Sequence, residues 1–188
     1  MSQTAMPEAE GGIEIALPEC PKGIGDVIAS PDSRGLITGV RIQPLAVWAD
    51  DRGYFLEVLR MGQGLVAGYP AASTQVSASF LYPGSVKAFH YHRRQTDVWA
   101  VTAGMLQVAL VDLGQGSPTH GRRNTLYIGQ LRPWQLLIPA GVAHGCKVIG
   151  TAPAVLIYAT DRFYNPADEG RLPWDHPGIN YDWETQHK

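Results

Sequence analysis

Apolar and polar positions alternate in short bursts along most of the chain, and nowhere do they hold the three-to-four spacing of a long helix face. From Ser73 onward the bursts cover Gln75 to Leu81, Lys87 to His92, Val98 to Thr102 and Leu106 to Val111. Leu126 to Ile128, Gln135 to Ile138, Cys146 to Ile149 and Val155 to Thr160 follow, with Gly- or Pro-bearing turns between runs. Strands at that spacing predict an all-β sandwich or barrel and leave no room for crossover helices. A jelly roll is the expected architecture, since it closes paired strands around a water-poor cavity.

Upstream the pattern is looser. Leu36 to Ala46 alternates and predicts a strand; Asp51 to Gly53 predicts a turn leading into a strand through Tyr54 to Leu59. Met61 to Gly68 is the best place for a short helix. Pro18 and Pro21 bar a helix interior from Ile13 to Ile24, leaving an edge strand or a wrapping segment. Residues 1–12 are small, acidic and Gly-rich, as in a disordered arm, and 13–188 read as one domain. The tail from Phe163 to Trp183 is rich in Pro, Trp and Tyr and predicts loops with one or two helical turns.

Composition narrows the function classes. At 188 residues and 45% hydrophobic content, the chain can bury a proper core. A net charge of -2 argues against nucleic acid or an anionic membrane as partner. Two cysteines, Cys20 and Cys146, make no disulfide framework, and the start lacks a basic segment followed by an apolar one. A cytoplasmic enzyme or binding protein is the expectation.

Candidate chemistry concentrates in Gly84 to Gly104, GSVKAFHYHRRQTDVWAVTAG. His90 and His92 stand one residue apart in a strand pattern, so both rings project to one face. Asp97 opens the next apolar run, and an antiparallel return strand is expected to bring its carboxylate near both rings. This spacing resembles the first signature of the cupin superfamily, with Asp in place of Glu. Pro139-Ala140-Gly141-Val142-Ala143-His144 resembles the second, which implies that His144 enters the same barrel.

A closer resemblance runs from about Val40 to Trp183. Asp51 to Glu57, Gln75 to Ser79, Gly84 to His90, Val111-Asp112 with Gly116 to Thr119, Ile138 to Gly145, Tyr158 to Pro166 and the closing Trp174 to Pro177 fall in the order seen in dTDP-4-dehydrorhamnose 3,5-epimerases. That resemblance implies epimerisation of a nucleotide-linked 4-keto-6-deoxy sugar without a cofactor. It also implies His90 as base, Tyr164 as acid, Tyr158 as support for the pocket or the oxyanion, and a positive charge at Lys87 beside the base. Arg52, Phe55, Glu57 and Gln75 would grip the nucleotide and phosphates, partly across a homodimer interface.

The departures from that family are as specific as the matches. Lys87-Ala88-Phe89-His90 stands where the family has Arg-Gly-Leu-His, and Asp97 replaces its enolate-stabilising lysine. Ser77 and Val108 replace an asparagine and an aspartate. The downstream carboxylate that partners the family's histidine has no counterpart in the pattern, and Asp97 is expected to serve if it reaches His90. The same changes suit a second reading, in which His90, His92, Asp97 and His144 hold a divalent Fe, Mn, Ni, Co or Zn ion. A metal-bound His90 nitrogen cannot also remove a proton, so the two readings compete. A third is a catalytically silent sugar-nucleotide-binding cupin.

Overall fold

The computed structural model describes residues 11–185. Among the described residues, thirteen strands and one 3-10 turn make up the regular structure. The first four strands are short: β1 (Asp26–Val27), β2 (Arg41–Pro44), β3 (Val47–Asp50) and β4 (Gly53–Leu56). After the turn at Gly64–Val66 come β5 (Gln75–Leu81), β6 (Val86–His92), β7 (Asp97–Ala103), β8 (Met105–Asp112) and β9 (Arg123–Gly129). The last four are β10 (Trp134–Ile138), β11 (Val142–Ile149), β12 (Ala154–Thr160) and β13 (Glu169–Arg171).

They form a six-stranded sheet in the order β1-β9-β8-β11-β6-β13, a five-stranded sheet in the order β2-β10-β7-β12-β5, and a separate β3-β4 hairpin. Consecutive strands repeatedly change sheet, which is the wiring of a jelly roll. The expected all-β, cupin-type fold is therefore the observed one. Between the sheets lies the main core, built on Leu106, Val108, Leu110, Leu126, Leu136 and Ile138.

Both sheets are also covered from outside, which is why several central strands carry unbroken apolar runs instead of clean alternation. Phe89, on the opposite face of β6 from His90, meets Trp183 with ring centroids 5.6 Å apart, and Tyr181 packs on Trp183 at 4.5 Å. The Tyr181 hydroxyl satisfies itself on Thr125 Oγ1 at 2.6 Å and on the Gln107 amide at 3.0 Å. Burial pushes that phenol up to about 12. Leu65 and Val66 of the 3-10 turn cover Val98, Leu137 and Ala159 on the other sheet.

Most strand boundaries from Gln75 onward agree with the sequence pattern to within a few residues, and the upstream differences have local causes. Leu36 to Val40 forms turns, with Ile37 held by a hydrogen bond from its N–H to Asn124 Oδ1, so only Arg41–Pro44 of that run pairs as a strand. Met61 to Gly68 yields a 3-10 turn, limited by glycines at 62, 64 and 68. Ile13 to Ile24 wraps the molecule, touching it through an Ile15–Gly114 bridge. The tail contains a short strand, β13, in place of the expected helical turns. Of the expected arm, residues 1–10 lie outside the described residues; Gly12 lies against Arg93, and Ile13 donates its N–H to the Arg93 carbonyl.

Candidate active site

The cavity between the sheets, about 360 Å³ in volume, lies within the range of small-ligand pockets. Its six-stranded wall takes Lys87, His90 and His92 from β6, His144 and Cys146 from β11, and Glu169 and Arg171 from β13. A bulge sets this wall. His144 pairs with His90 and Cys146 with Lys87, so two residues of β6 oppose the single Gly145 of β11. The extra residue shifts the side-chain phase, and Lys87 and His90 both reach the cavity although three positions separate them. Position 145 tolerates this only as glycine: an added Cβ would sit 2.3 Å from the Ala88 Cβ.

His90 is the half-buried member of the histidine set. Its Nδ1 lies 3.6 Å from Glu169 Oε1, and that carboxylate also accepts a hydrogen bond from Arg171 Nε. Burial lowers the basicity of His90, and Glu169 acts in the opposite direction. With Nδ1 turned to a carboxylate, Nε2 is the nitrogen left to meet a substrate. Sequence reasoning missed Glu169, because a three-residue strand inside a Pro-rich tail is too short to carry a period. Its one visible trace is an alternation of opposite charges, Glu169 and Arg171, which β13 lays alongside His92 and His90.

Asp97 does not reach His90 as its partner, nor does β7 return beside β6. The two strands lie in different sheets, and Asp97 faces the histidines from across the sandwich. Its Oδ2 accepts a hydrogen bond from Trp99 Nε1 at 3.2 Å and its Oδ1 one from the Gln95 amide at 2.7 Å. The same amide nitrogen is 3.1 Å from His92 Nε2. His144 Nε2 stands 3.8 Å from Asp97 Oδ2, while its Nδ1 is 3.0 Å from the Val142 carbonyl. Burial holds His144 down to about 3 and raises the Asp97 carboxyl.

The structure does not gather all four residues of the expected metal set at one point. His92, Asp97 and His144 each offer a ligand atom within 4.8 Å of the others, and His90 stands outside that group, drawn toward Glu169. Gln75, Tyr158, Thr160 and Tyr164 complete the cavity opposite the β6–β11 wall, with Tyr164 exposed and its N–H donating to Gln75 Oε1. Burial raises the Cys146 thiol to about 11, so it is no nucleophile at neutral pH.

Of the expected nucleotide-gripping residues, only Gln75 lines this cavity. Arg52 sits at the hairpin turn paired with Asp50 at 2.5 Å, and Glu57 pairs with Arg60 at 2.6 Å. Phe55, 66% exposed, stacks at 5.7 Å on Trp48 across the hairpin. The structure does not bring these three to the pocket of their own chain.

Comparison with known proteins gives a consistent picture. Residues 35–188 match the family model described as dTDP-4-dehydrorhamnose 3,5-epimerase. The chain is 43% identical over 153 residues to the spore coat polysaccharide biosynthesis protein SpsL of Bacillus subtilis, covering 80% of this chain and 99% of that one. A crystal structure of a dTDP sugar isomerase from Desulfovibrio desulfuricans superposes with a TM-score of 0.71 at 28% identity, covering 78% of this chain and 92% of its own. A dTDP-6-deoxy-D-glucose-3,5-epimerase from Legionella pneumophila, solved in complex with dTDP-4-keto-L-rhamnose, superposes with a TM-score of 0.67 at 26% identity, over 79% and 80% of the two chains.

Proposed function

The chain belongs to the dTDP-4-dehydrorhamnose 3,5-epimerase family and is a nucleotide-sugar epimerase, and we propose that His90 is the base by which it acts on a 4-keto-6-deoxy sugar. The observation that carries this reading is the His90–Glu169 pair on the cavity wall. With Nδ1 3.6 Å from the Glu169 carboxylate, the ring leaves Nε2 for the substrate, and burial lowers its basicity, which favours the unprotonated form a base needs.

His90 Nε2 takes the proton from a carbon beside the ketone, and the C–H electron pair moves into the ketone oxygen as an enolate. The Lys87 ammonium on the same wall opposes that negative charge. Tyr164, from the opposite wall, returns a proton to the other face of the carbon and inverts it, while Tyr158 supports the pocket. Solvent then reprotonates the phenolate and relieves His90.

The nucleotide is assigned to residues on two chains. Arg52, Phe55 and Glu57 lie outside their own cavity, and the exposed β3-β4 hairpin carries them. Val76 and Phe80 leave an apolar surface along β5, the end strand of the five-stranded sheet, with Tyr82 exposed just beyond it. A homodimer in which the hairpin docks on the partner's β5 edge covers both surfaces and delivers the three residues to a neighbouring pocket. Incubation with dTDP-4-keto-6-deoxyglucose, followed by NMR of the sugar ring, tests the activity. Inversion next to the ketone is expected; an unchanged ring over many hours would overturn the assignment to that substrate.

A further inference from the structure

We propose that Arg171 is a positioning residue that ties the carboxylate beside the base to the phenol of the acid, and that it holds the charge the phenol acquires on giving up its proton. The inference rests on the reading of His90 as base and Tyr164 as acid and deepens it, since that reading gives Arg171 no task. β13 is the end strand of the six-stranded sheet, and its register lays Arg171 opposite His90 and Glu169 opposite His92. Side chains two apart on a strand share a face, so Glu169 and Arg171 both line the cavity while position 170 faces the other way. Glycine at 170 lets the strand lie this close: a Cβ there would sit 2.0 Å from the Tyr91 ring. Just beyond, Leu172 donates its N–H to the Phe89 carbonyl at 3.0 Å and accepts from the Phe89 N–H at 2.7 Å, which fixes the backbone under Arg171.

The guanidinium meets two partners. Its Nε donates to Glu169 Oε1, the same oxygen that lies 3.6 Å from His90 Nδ1. A planar fork with five N–H groups has donors left after one such bond, and here it also reaches the Tyr164 hydroxyl. The Glu169 carboxylate chiefly, and Tyr164 beside it, raise Arg171 above its ordinary value. Tyr164 sits on the coil between β12 and β13, with its main-chain N–H 3.3 Å from Gln75 Oε1 at the start of β5. Arg171 therefore spans the gap between the two sheets, from the base's side of the cavity to the acid's.

The return of the proton is the step this link serves. The Tyr164 O–H bond breaks, its proton and the enolate's electron pair form the new C–H bond on the far face, and the phenol oxygen keeps a negative charge. A guanidinium at that oxygen stabilises the charged state, and because Glu169 fixes it in advance, little reorganisation is needed. Without it, the enolate is more often reprotonated by His90 on the face it left, and the substrate returns with its configuration unchanged. Arg171 thus sets how often removal of a proton ends in inversion.

Arg171→Met and Arg171→Lys, incubated with dTDP-4-keto-6-deoxyglucose in deuterated water beside wild type, separate exchange from inversion. NMR reads deuterium in recovered substrate against deuterium in epimerised product. Arg171→Met should raise that ratio about tenfold and lower kcat for inversion roughly 10- to 100-fold, at a KM within about twofold of wild type. Arg171→Lys keeps the charge and loses the fork, and should fall between the two. The side chain is 70% exposed, so both variants should melt as wild type does, and dTDP should bind Arg171→Met as it binds wild type. An unchanged ratio in Arg171→Met would overturn the proposal, whether the two rates fall together or not at all. So would a loss of more than about tenfold in dTDP affinity, which would make Arg171 a nucleotide ligand. Absence of exchange in wild type would instead sink the epimerase reading for that substrate, and this proposal with it.

Discussion

At the scale of single residues, the carboxylate beside His90 is not the one expected. The pattern around His90 pointed to Asp97 as its partner, being the nearest acid in sequence. The fold gives His90 to Glu169 instead and turns Asp97 toward His92 and His144. A catalytic base must be unprotonated, and burial lowers His90, so the acid limb of the kcat/KM profile should fall below the ordinary imidazole value of about 6.5. Glu169→Gln removes a group that favours the protonated ring. The limb should therefore move to still lower pH while kcat falls roughly 10- to 100-fold, part of the 10²–10⁴ that a general base supplies. A pH profile of the variant that kept its limb and its rate would remove Glu169 from the mechanism. His90 itself was legible because H-x-H on a strand shows two rings on one face; Glu169 was not, because its partner lies 79 positions away in a segment with no period of its own.

At the scale of elements, strands after Ser73 were readable from alternation and turn residues, and the ones that mattered most hid a device that alternation cannot express. The bulge between β6 and β11 places Lys87 and His90 on one wall, and it is paid for by Gly145. Gly145→Ala should clash with Ala88 and cost about 1–3 kcal/mol, a fall of a few degrees to about 10 °C in Tm by thermal melt. An unchanged Tm would mean that the two strands can separate freely there. The β3-β4 hairpin makes a different demand. Its turn was visible at Asp51 to Gly53, and it leaves Trp48 and Phe55 exposed, the surface that the proposed dimer would cover. Phe55→Ala should shift the protein toward monomer in analytical ultracentrifugation and raise KM more than it lowers kcat. A variant that stayed dimeric with unchanged KM would place the interface elsewhere.

For the whole molecule, the jelly roll explains how one cavity gathers chemistry from distant stretches. Strands alternate between sheets, so β6 and β11 supply one wall while β7 and β12 supply the other. Fold class was legible because the run of short strands left no other economical packing; the sheet assignment of neighbours was not, since the loop from His92 to Asp97 looked like a hairpin and is instead a crossing between sheets. That crossing puts Asp97 across the sandwich from β6, so it faces His92 and His144 while His90 lies beside Glu169. The most direct test is solvent exchange: dTDP-4-keto-6-deoxyglucose incubated with the enzyme in deuterated water, with His90→Asn beside wild type. Wild type should place deuterium on the carbons flanking the ketone, and His90→Asn should do so at least about 10²-fold more slowly. Absence of deuterium with wild type, or undiminished exchange in His90→Asn, would contradict the assignment of His90 as the base.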